Sequence, residues 1–339
     1  MRSKASITRR LCISMLAAAS LAAAGSTPAA AEVSEVKIGI QFGLGHLPLM
    51  IMEHNKWIEE EAKAAGLGNI TTKYFQLAGS AAVNDALLSG SVDFTSGGLT
   101  GIAILWAASK GKVKAVAAVD AMPFYLTTSN PNIKTLKDFT ASDKIALPAV
   151  KVSPQAIVLQ MAAEKEFGDY SKLDSLTVTM KHPDAMLALL SGSGAVNSHL
   201  GFPPYQQVEL KDPKIHRVLS SYDIVGPATI VVLATKTNFY EENPKTYRAV
   251  VAALKRAIDF INDNRRAAAE AYIAVTNDKT LSVDDLTKLL ESPEMNYSMT
   301  PNGTMKFVDF MYARGMLKSK PADWKELFFP NVHDLPGAN

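Results

Sequence analysis

Glycine and hydroxyl residues recur at one kind of position in this sequence, just ahead of a helical stretch. Gly79-Ser80 precedes the run Ala81 to Leu88. Gly97-Gly98 precedes an apolar run containing Thr100. Ser153-Pro154 precedes a run to Phe167. A helix start carries unpaired N–H groups and about half a positive charge, so it favours an anion. Ser80, Thr100 and Ser153 would add hydroxyl donors, although each alone also fits the plain role of a helix N-cap. No arginine lies in these segments; beyond the N-terminal stretch, arginine stands only at Arg217, Arg248, Arg256, Arg265, Arg266 and Arg314. A bidentate guanidinium clamp is therefore disfavoured. The chemistry left is an anion held by N–H and hydroxyl groups, or a mostly neutral molecule.

Other residues near these segments divide between binding and structure. Phe42, Met122, Phe124 and Phe202 could wall a small-molecule site, and each alone fits a core position equally well. His46 and His199 fall in the same class of loop. His199 is either a ligand donor or the maker of a structural hydrogen bond, and His182 before Pro183 reads as a turn residue. His46, Met50, Glu53 and His54 have helical spacing, but Pro48 interrupts it, so no metal site is expected. There is no G-x-x-x-x-G-K-[ST], H-E-x-x-H or G-x-S-x-G motif. Gly43-Leu44-Gly45 lacks the third glycine of a dinucleotide fingerprint. Asp85 and Asp93 are the nearest acids, and Asp93 reads as a turn residue. Neither an enzyme nor a cofactor is expected.

The elements that must position these loops alternate. Glu35 to Phe42 reads as a strand, and a helix should begin near Pro48 and run through Trp57 towards Ala65. Strands are expected at Thr71 to Leu77, Val92 to Ser96 and Val113 to Val119, with helices at Ala81 to Leu88 and Leu99 to Ser109 between them. A second such run holds strands at Lys144 to Leu147, Ser175 to Lys181 and Ala195 to Leu200, and helices after Ser153 and His182. Pro227 to Ala234 is a β-branched run, and the remainder is mostly helical, with a capping box at Ser282 and Asp285. This β-α alternation argues sheets flanked by helices. Ala86-Leu-Leu-Ser-Gly-Ser91 recurs as Ala188-Leu-Leu-Ser-Gly-Ser193, each at a helix end before a short strand. The repeat implies two α/β lobes of related design. Ligands bind beyond the carboxyl ends of strands in such sheets. The loops Gln41 to His46, Ala78 to Ser80, Gly97 to Thr100, Asp120 to Phe124, Ala149 to Ser153, Lys181 to Asp184 and Asn197 to Tyr205 would then face one cleft, able to close by hinge motion.

Composition agrees with an ordinary folded chain. Of 339 residues, 47% are hydrophobic and 20% charged, which excludes a disordered protein. Residues 1–31 read as a secretory signal peptide: Arg9-Arg10 close a basic stretch, Leu11 to Ala24 is apolar but short of a membrane span, and Ala29-Ala30-Ala31 suits cleavage. Without the four basic residues of that leader, 31 basic stand against 33 acidic residues, a balance that argues against a nucleic-acid binder. Cys12, the one cysteine, would leave with the leader. The mature chain would have no disulfide, thiolate nucleophile or zinc-thiolate site.

Several segments carry a resemblance. Val36-Lys-Ile-Gly-Ile40, His46-Leu-Pro-Leu through Asn55-Lys-Trp57, Asp85-Ala-Leu-Leu-Ser-Gly-Ser-Val-Asp-Phe94 with its Gly97-Gly98 turn, Lys144-Ile-Ala-Leu-Pro148 with Ser153-Pro-Gln155, and His199-Leu-Gly-Phe-Pro-Pro204 resemble the nitrate/sulfonate/taurine substrate-binding proteins of ABC importers. The resemblance spans about residues 35–260. It implies an α/β, two-lobed class II periplasmic-binding-protein fold, each lobe a mixed sheet flanked by helices, with the ligand cleft between lobes. Lobe 1 would comprise residues 33–128 and 226–339, and lobe 2 the insert 129–225. It implies a periplasmic monomer that captures a small anion by lobe closure and passes it to a permease with its ATPase. The family's ligand contacts match Gln41, Phe42, Gly79, Ser80, Gly98, Thr100, Met122, Ser153 and His199. An exported enzyme, or a sensor presenting a pyrimidine-type or aromatic acid ligand on the same fold, is the alternative. The superfamily's pyrimidine-forming enzymes use a cysteine-rich motif that a mature chain without cysteine would lack.

Overall fold

The computed structural model describes residues 31–336. The leader expected over residues 1–31 lies outside them but for Ala31, as does Cys12. The fold is α/β, with two five-stranded mixed sheets flanked by helices.

The first sheet forms from segments whose apolar residues face helices on both sides. The chain runs β1 (Glu35–Ile40), α1 (Leu47–Asn55), α2 (Trp57–Ala64), β2 (Thr71–Gln76), α3 (Ser80–Ser89), β3 (Phe94–Gly98), α4 (Leu99–Ala108) and β4 (Val113–Ala118). The second sheet takes β5 (Tyr125–Thr128), β6 (Ile145–Leu147), α5 (Pro154–Phe167), β7 (Thr177–Thr179), α6 (His182–Ser191), β8 (Ser198–Leu200), α7 (Tyr205–Glu209), β9 (His216–Ser220) and α8 (Tyr222–Val225). The chain then returns as β10 (Val231–Lys236), followed by α9 (Thr237–Glu242), α10 (Pro244–Asp263), α11 (Arg265–Thr276), α12 (Val283–Leu290), α13 (Thr304–Ala313) and α14 (Trp324–Leu327).

Strand order in the first sheet is β2-β1-β3-β10-β4 and in the second β7-β6-β8-β5-β9. In the first, β1 pairs in parallel with β2 and β3, and β10 lies antiparallel between β3 and β4. In the second, β6 pairs in parallel with β7 and β8, and β5 lies antiparallel between β8 and β9. Each sheet is thus three parallel strands extended by one antiparallel strand and a further edge strand beyond it. The repeated Ala-Leu-Leu-Ser-Gly-Ser ends the equivalent helix in each: Gly90 after α3 and Gly192 after α6 both close the helix in the left-handed conformation. No helix among the described residues is long and apolar enough to cross a membrane.

Three local features depart from the sequence expectation. The helix expected from Pro48 to Ala65 is two helices, broken at Lys56, whose φ of 55° is left-handed. The break lets Trp57 turn inward, where it meets Phe260 edge-on and lies under the Arg256 guanidinium. Gly97 and Gly98 do not end β3. They pair with Val232 and Val231 of β10, because a long-range antiparallel partner supplies the ladder that local propensity lacks. The strands β5 and β9 were not expected at all. Of the capping box expected at Ser282, the N-cap half is formed: the Ser282 side chain accepts from the Asp285 N–H at 3.1 Å.

The two sheets' units meet across a narrow gap. The Leu44 N–H donates to the Pro203 carbonyl at 2.7 Å, and the guanidinium of Arg314, just past the end of α13, pairs with Glu164 on α5.

Candidate functional site

A cavity of about 30 Å³ lies where the strand ends of the two sheets face each other. It is lined by Gln41, Phe42, His46, Ala78, Ser80, Gly98, Pro148, Pro154, Gln155, His182, Phe202, Ile230 and Val231. The lining includes no lysine or arginine. Ser80 opens α3, and Gly98 immediately precedes α4. Pro154 and Gln155 open α5. First-turn N–H groups have no intrahelical acceptor, so three helix starts bring positive dipole ends to one small volume.

Nine residues were expected at this site, and the structure divides them. Gln41, Phe42, Ser80 and Gly98 line the cavity. Gln41 is held by its amide, which donates to the Ser96 carbonyl at 3.5 Å. Gly79 sits at the gap: a Cβ there would lie 2.6 Å from the Pro148 carbonyl oxygen across the cleft. Gly98 is similarly tight, since its Cβ would meet Pro154 Cδ at 2.5 Å. The glycines are needed for close approach, not for their backbone angles.

The other four turn away. The Thr100 hydroxyl donates to the Val152 carbonyl at 2.6 Å and so bridges the two sheets' units. The Ser153 hydroxyl donates to the Ala149 carbonyl at 2.9 Å and accepts from the Ala156 N–H at 3.2 Å, as an N-cap does. Met122 is wholly buried in the core. His199 is also wholly buried, one layer behind the cavity wall, and reaches it only through His182.

Sequence reasoning passed over His182 and Gln155 as lining residues, though both fall in or beside loops that follow strands. The His182 ring is stacked between Phe202 and Tyr205, at interplanar angles of 21° and 17°. Its Nδ1 lies 2.9 Å from His199 Nε2, and its Nε2 lies 3.3 Å from the Gln155 amide nitrogen. Burial, then the neighbouring His199 and His46 rings, hold His182 well below the usual imidazole range. His46 likewise points inward: its Nδ1 is 2.8 Å from the Ser96 hydroxyl, and burial pushes its pKa down to about 3. His54 is exposed on the other side of its helix. Among the described residues no cluster of three His, Cys, Asp or Glu could hold a metal.

Asp120 lies just beneath the cavity floor. Its carboxylate accepts from the Val231 N–H at 3.3 Å, while its Oδ2 is buried without a partner among the described residues. Burial pushes its pKa well above the usual carboxylate range, against the opposing effect of backbone N–H groups from Val231, Met122 and Ile230.

Residues 29–275 match the NMT1-like family. No curated protein matches the sequence. Solved structures share the fold. The alkanesulfonate-binding protein SsuA of Xanthomonas axonopodis pv. citri, bound to MOPS, superposes with a TM-score of 0.69 at 16% identity, covering 86% of this chain and 96% of that one. The periplasmic aliphatic sulphonate binding protein SsuA of Escherichia coli gives 0.65 at 17% identity, with 89% and 99% covered. The periplasmic nitrate-binding protein NrtA of Synechocystis PCC 6803 gives 0.66 at 13%, with 85% and 83% covered. At these identities the likeness is one of fold: two mixed sheets facing a cleft, as in ABC-type solute-binding proteins.

Proposed function

The chain belongs to the NMT1-like family, and we propose that it is the exported, periplasmic solute-binding component of an ABC importer. It captures a small anion of the sulfonate, nitrate or small carboxylate class by lobe closure and delivers it to a membrane permease. One observation carries this reading. Three helix starts converge on a cavity whose lining holds no lysine or arginine, an arrangement that holds an anion by N–H groups and dipoles. Gln41 and Ser80 donate to the anion, Phe42 and Phe202 wall its organic part, and Gly79 and Gly98 give the two lobes room to meet. Thr100 acts as a latch between lobes, Ser153 as the cap of α5, and Met122 as core. His199 acts through His182. Residues 33–128 and 226–339 form one lobe, and 129–225 the other.

The test is a thermal-shift and calorimetric screen against taurine, ethanesulfonate, nitrate and benzoate. A ligand at 100 times its dissociation constant stabilises by about 2.7 kcal/mol, a shift of a few degrees. A hit should bind without product formation. Ser80→Ala should then weaken binding by roughly one to two decades, the cost of one lost donor of about 1–3 kcal/mol. Product formation, or Ser80→Ala binding unchanged, would overturn the reading.

A further inference from the structure

A group of buried titratable residues lies behind the cavity wall, and the reading above uses it only through the contact of His199 with His182. Glu209 at the end of α7 is fully buried, as is His199 on β8. One carboxylate oxygen accepts from the Thr127 hydroxyl at 2.7 Å, and the other lies 2.5 Å from His199 Nδ1. From there the hydrogen bonds run His199 Nε2 to His182 Nδ1, and His182 Nε2 to Gln155 at the cavity wall. We propose that Glu209, His199, His182 and Gln155 form a proton relay that sets the hydrogen-bond polarity of the cleft, so that an anion binding there takes up one proton from solvent. This rests on the anion-binding reading above.

With His199 neutral in the ligand-free protein, the donors and acceptors fix the polarity of the chain. A carboxylate can only accept, so His199 Nδ1 carries a proton. With His199 neutral, its Nε2 is bare and accepts from His182 Nδ1–H. His182 Nε2 is then bare too, and accepts from the Gln155 amide. The ligand-free relay therefore turns a Gln155 amide N–H towards His182 Nε2 and away from a ligand, and it carries one negative charge, on Glu209. An anion would share a low-dielectric region with that carboxylate, with no lysine or arginine in the lining to offset it.

One added proton reverses the chain. It forms an N–H bond at His182 Nε2; the His182 Nδ1–H bond breaks; and that proton forms an N–H bond at His199 Nε2. His199 becomes an imidazolium against Glu209, His182 stays neutral, and its Nε2–H now points outward as a donor. Gln155 turns its amide to suit. The relay changes from one negative charge to none. His182 is itself held in the neutral form by burial and by its two imidazole neighbours, which leaves the added charge beside the carboxylate. The titratable groups facing the pair are Glu209 and Tyr205 from α7, His182 from α6 and, towards His182, His46.

Two measurements on the ligand-free and ligand-bound protein test this. Nitrogen-15 NMR of the imidazoles, ligand-free at pH 8, should show both His182 and His199 protonated at Nδ1 and bare at Nε2; a protonated His182 Nε2 would overturn the relay. Calorimetry with ethanesulfonate in two buffers of different ionisation enthalpy should show uptake of about one proton. Affinity should fall as pH rises, by up to about tenfold per pH unit for the uptake of one proton. Glu209→Gln keeps an acceptor for His199 but removes the charge, so uptake should vanish and the pH profile flatten. Ethanesulfonate binding to the native protein without proton uptake would overturn the proposal whether or not that variant folds. Failure of every anion in the screen to bind counts against the function proposed above, and the tautomer measurement then decides the relay by itself.

Discussion

Gly79→Ala isolates lobe closure from lobe folding. Gly79 has φ near 180°, an extended backbone that alanine adopts freely. The new methyl would stand 2.6 Å from the Pro148 carbonyl oxygen, about 0.8 Å short of the 3.4 Å at which ordinary contact begins. That oxygen is backbone, so relief requires the two lobes to separate by a similar distance. Two cross-lobe hydrogen bonds lie in the path: Thr100 to the Val152 carbonyl at 2.6 Å and Leu44 to the Pro203 carbonyl at 2.7 Å. Lengthening both by about 0.8 Å takes them to the edge of hydrogen-bond range, at about 1 kcal/mol each. The closed form then loses about 2 kcal/mol relative to the open one, and apparent affinity falls roughly thirtyfold. The assay pairs calorimetry against the best-bound anion of the screen with small-angle scattering in its presence. The variant should keep its own unfolding temperature, bind more weakly, and contract less on adding ligand. Native affinity together with native contraction would refute the closure argument.

Other outcomes follow from the same geometry. Thr100→Val removes the latch hydroxyl at nearly constant volume and should weaken the same anion about five- to tenfold, measured by calorimetry, with no change in which anion is preferred. His46 is depressed to about 3 in the folded protein against about 6.5 unfolded. The unfolded chain therefore binds more protons as pH falls, and stability present above pH 6.5 is lost below it. Urea unfolding at pH 5 should show about 2 kcal/mol less stability than at pH 7 from this group, and His46→Gln should remove that part of the slope. Asp120 shifts the opposite way: the folded state holds the proton, so stability is lost as pH rises above the unfolded value of about 4. Asp120→Asn should gain stability relative to the native chain at pH 7 and lose that advantage at pH 4, by the same unfolding measurement. Arg314→Ala, which removes a half-exposed ion pair with Glu164, should cost less than about 1 kcal/mol in thermal unfolding.

Much of the fold is written locally. Helix starts at Ser153 and Ser282 and helix stops at Gly90, Gly192 and Gly168 are properties of single residues and their neighbours. The β-α alternation and the repeated Ala-Leu-Leu-Ser-Gly-Ser place the helix starts at strand ends, which is why Gln41, Ser80 and Gly98 were legible as cavity residues. Strands β5 and β9 were not, because four or five residues of mixed character become strands only when a partner completes the ladder.

The sequence by itself determined most of the elements, their order and the class of loop that could hold a ligand, since these depend on backbone conformation and hydrophobic period. Which way each loop side chain points was decided by the tertiary structure alone. Thr100, Ser153 and His199 have the chemistry of ligand donors, and Thr100 faces a carbonyl 52 residues away, Ser153 its own helix and His199 the buried Glu209. Glu209 belongs to no motif, and only the packing of α7 on β5 and β8 brings it to His199. A side chain's local type fixes what it can donate or accept, and the partner it meets depends on contacts between residues far apart in the chain.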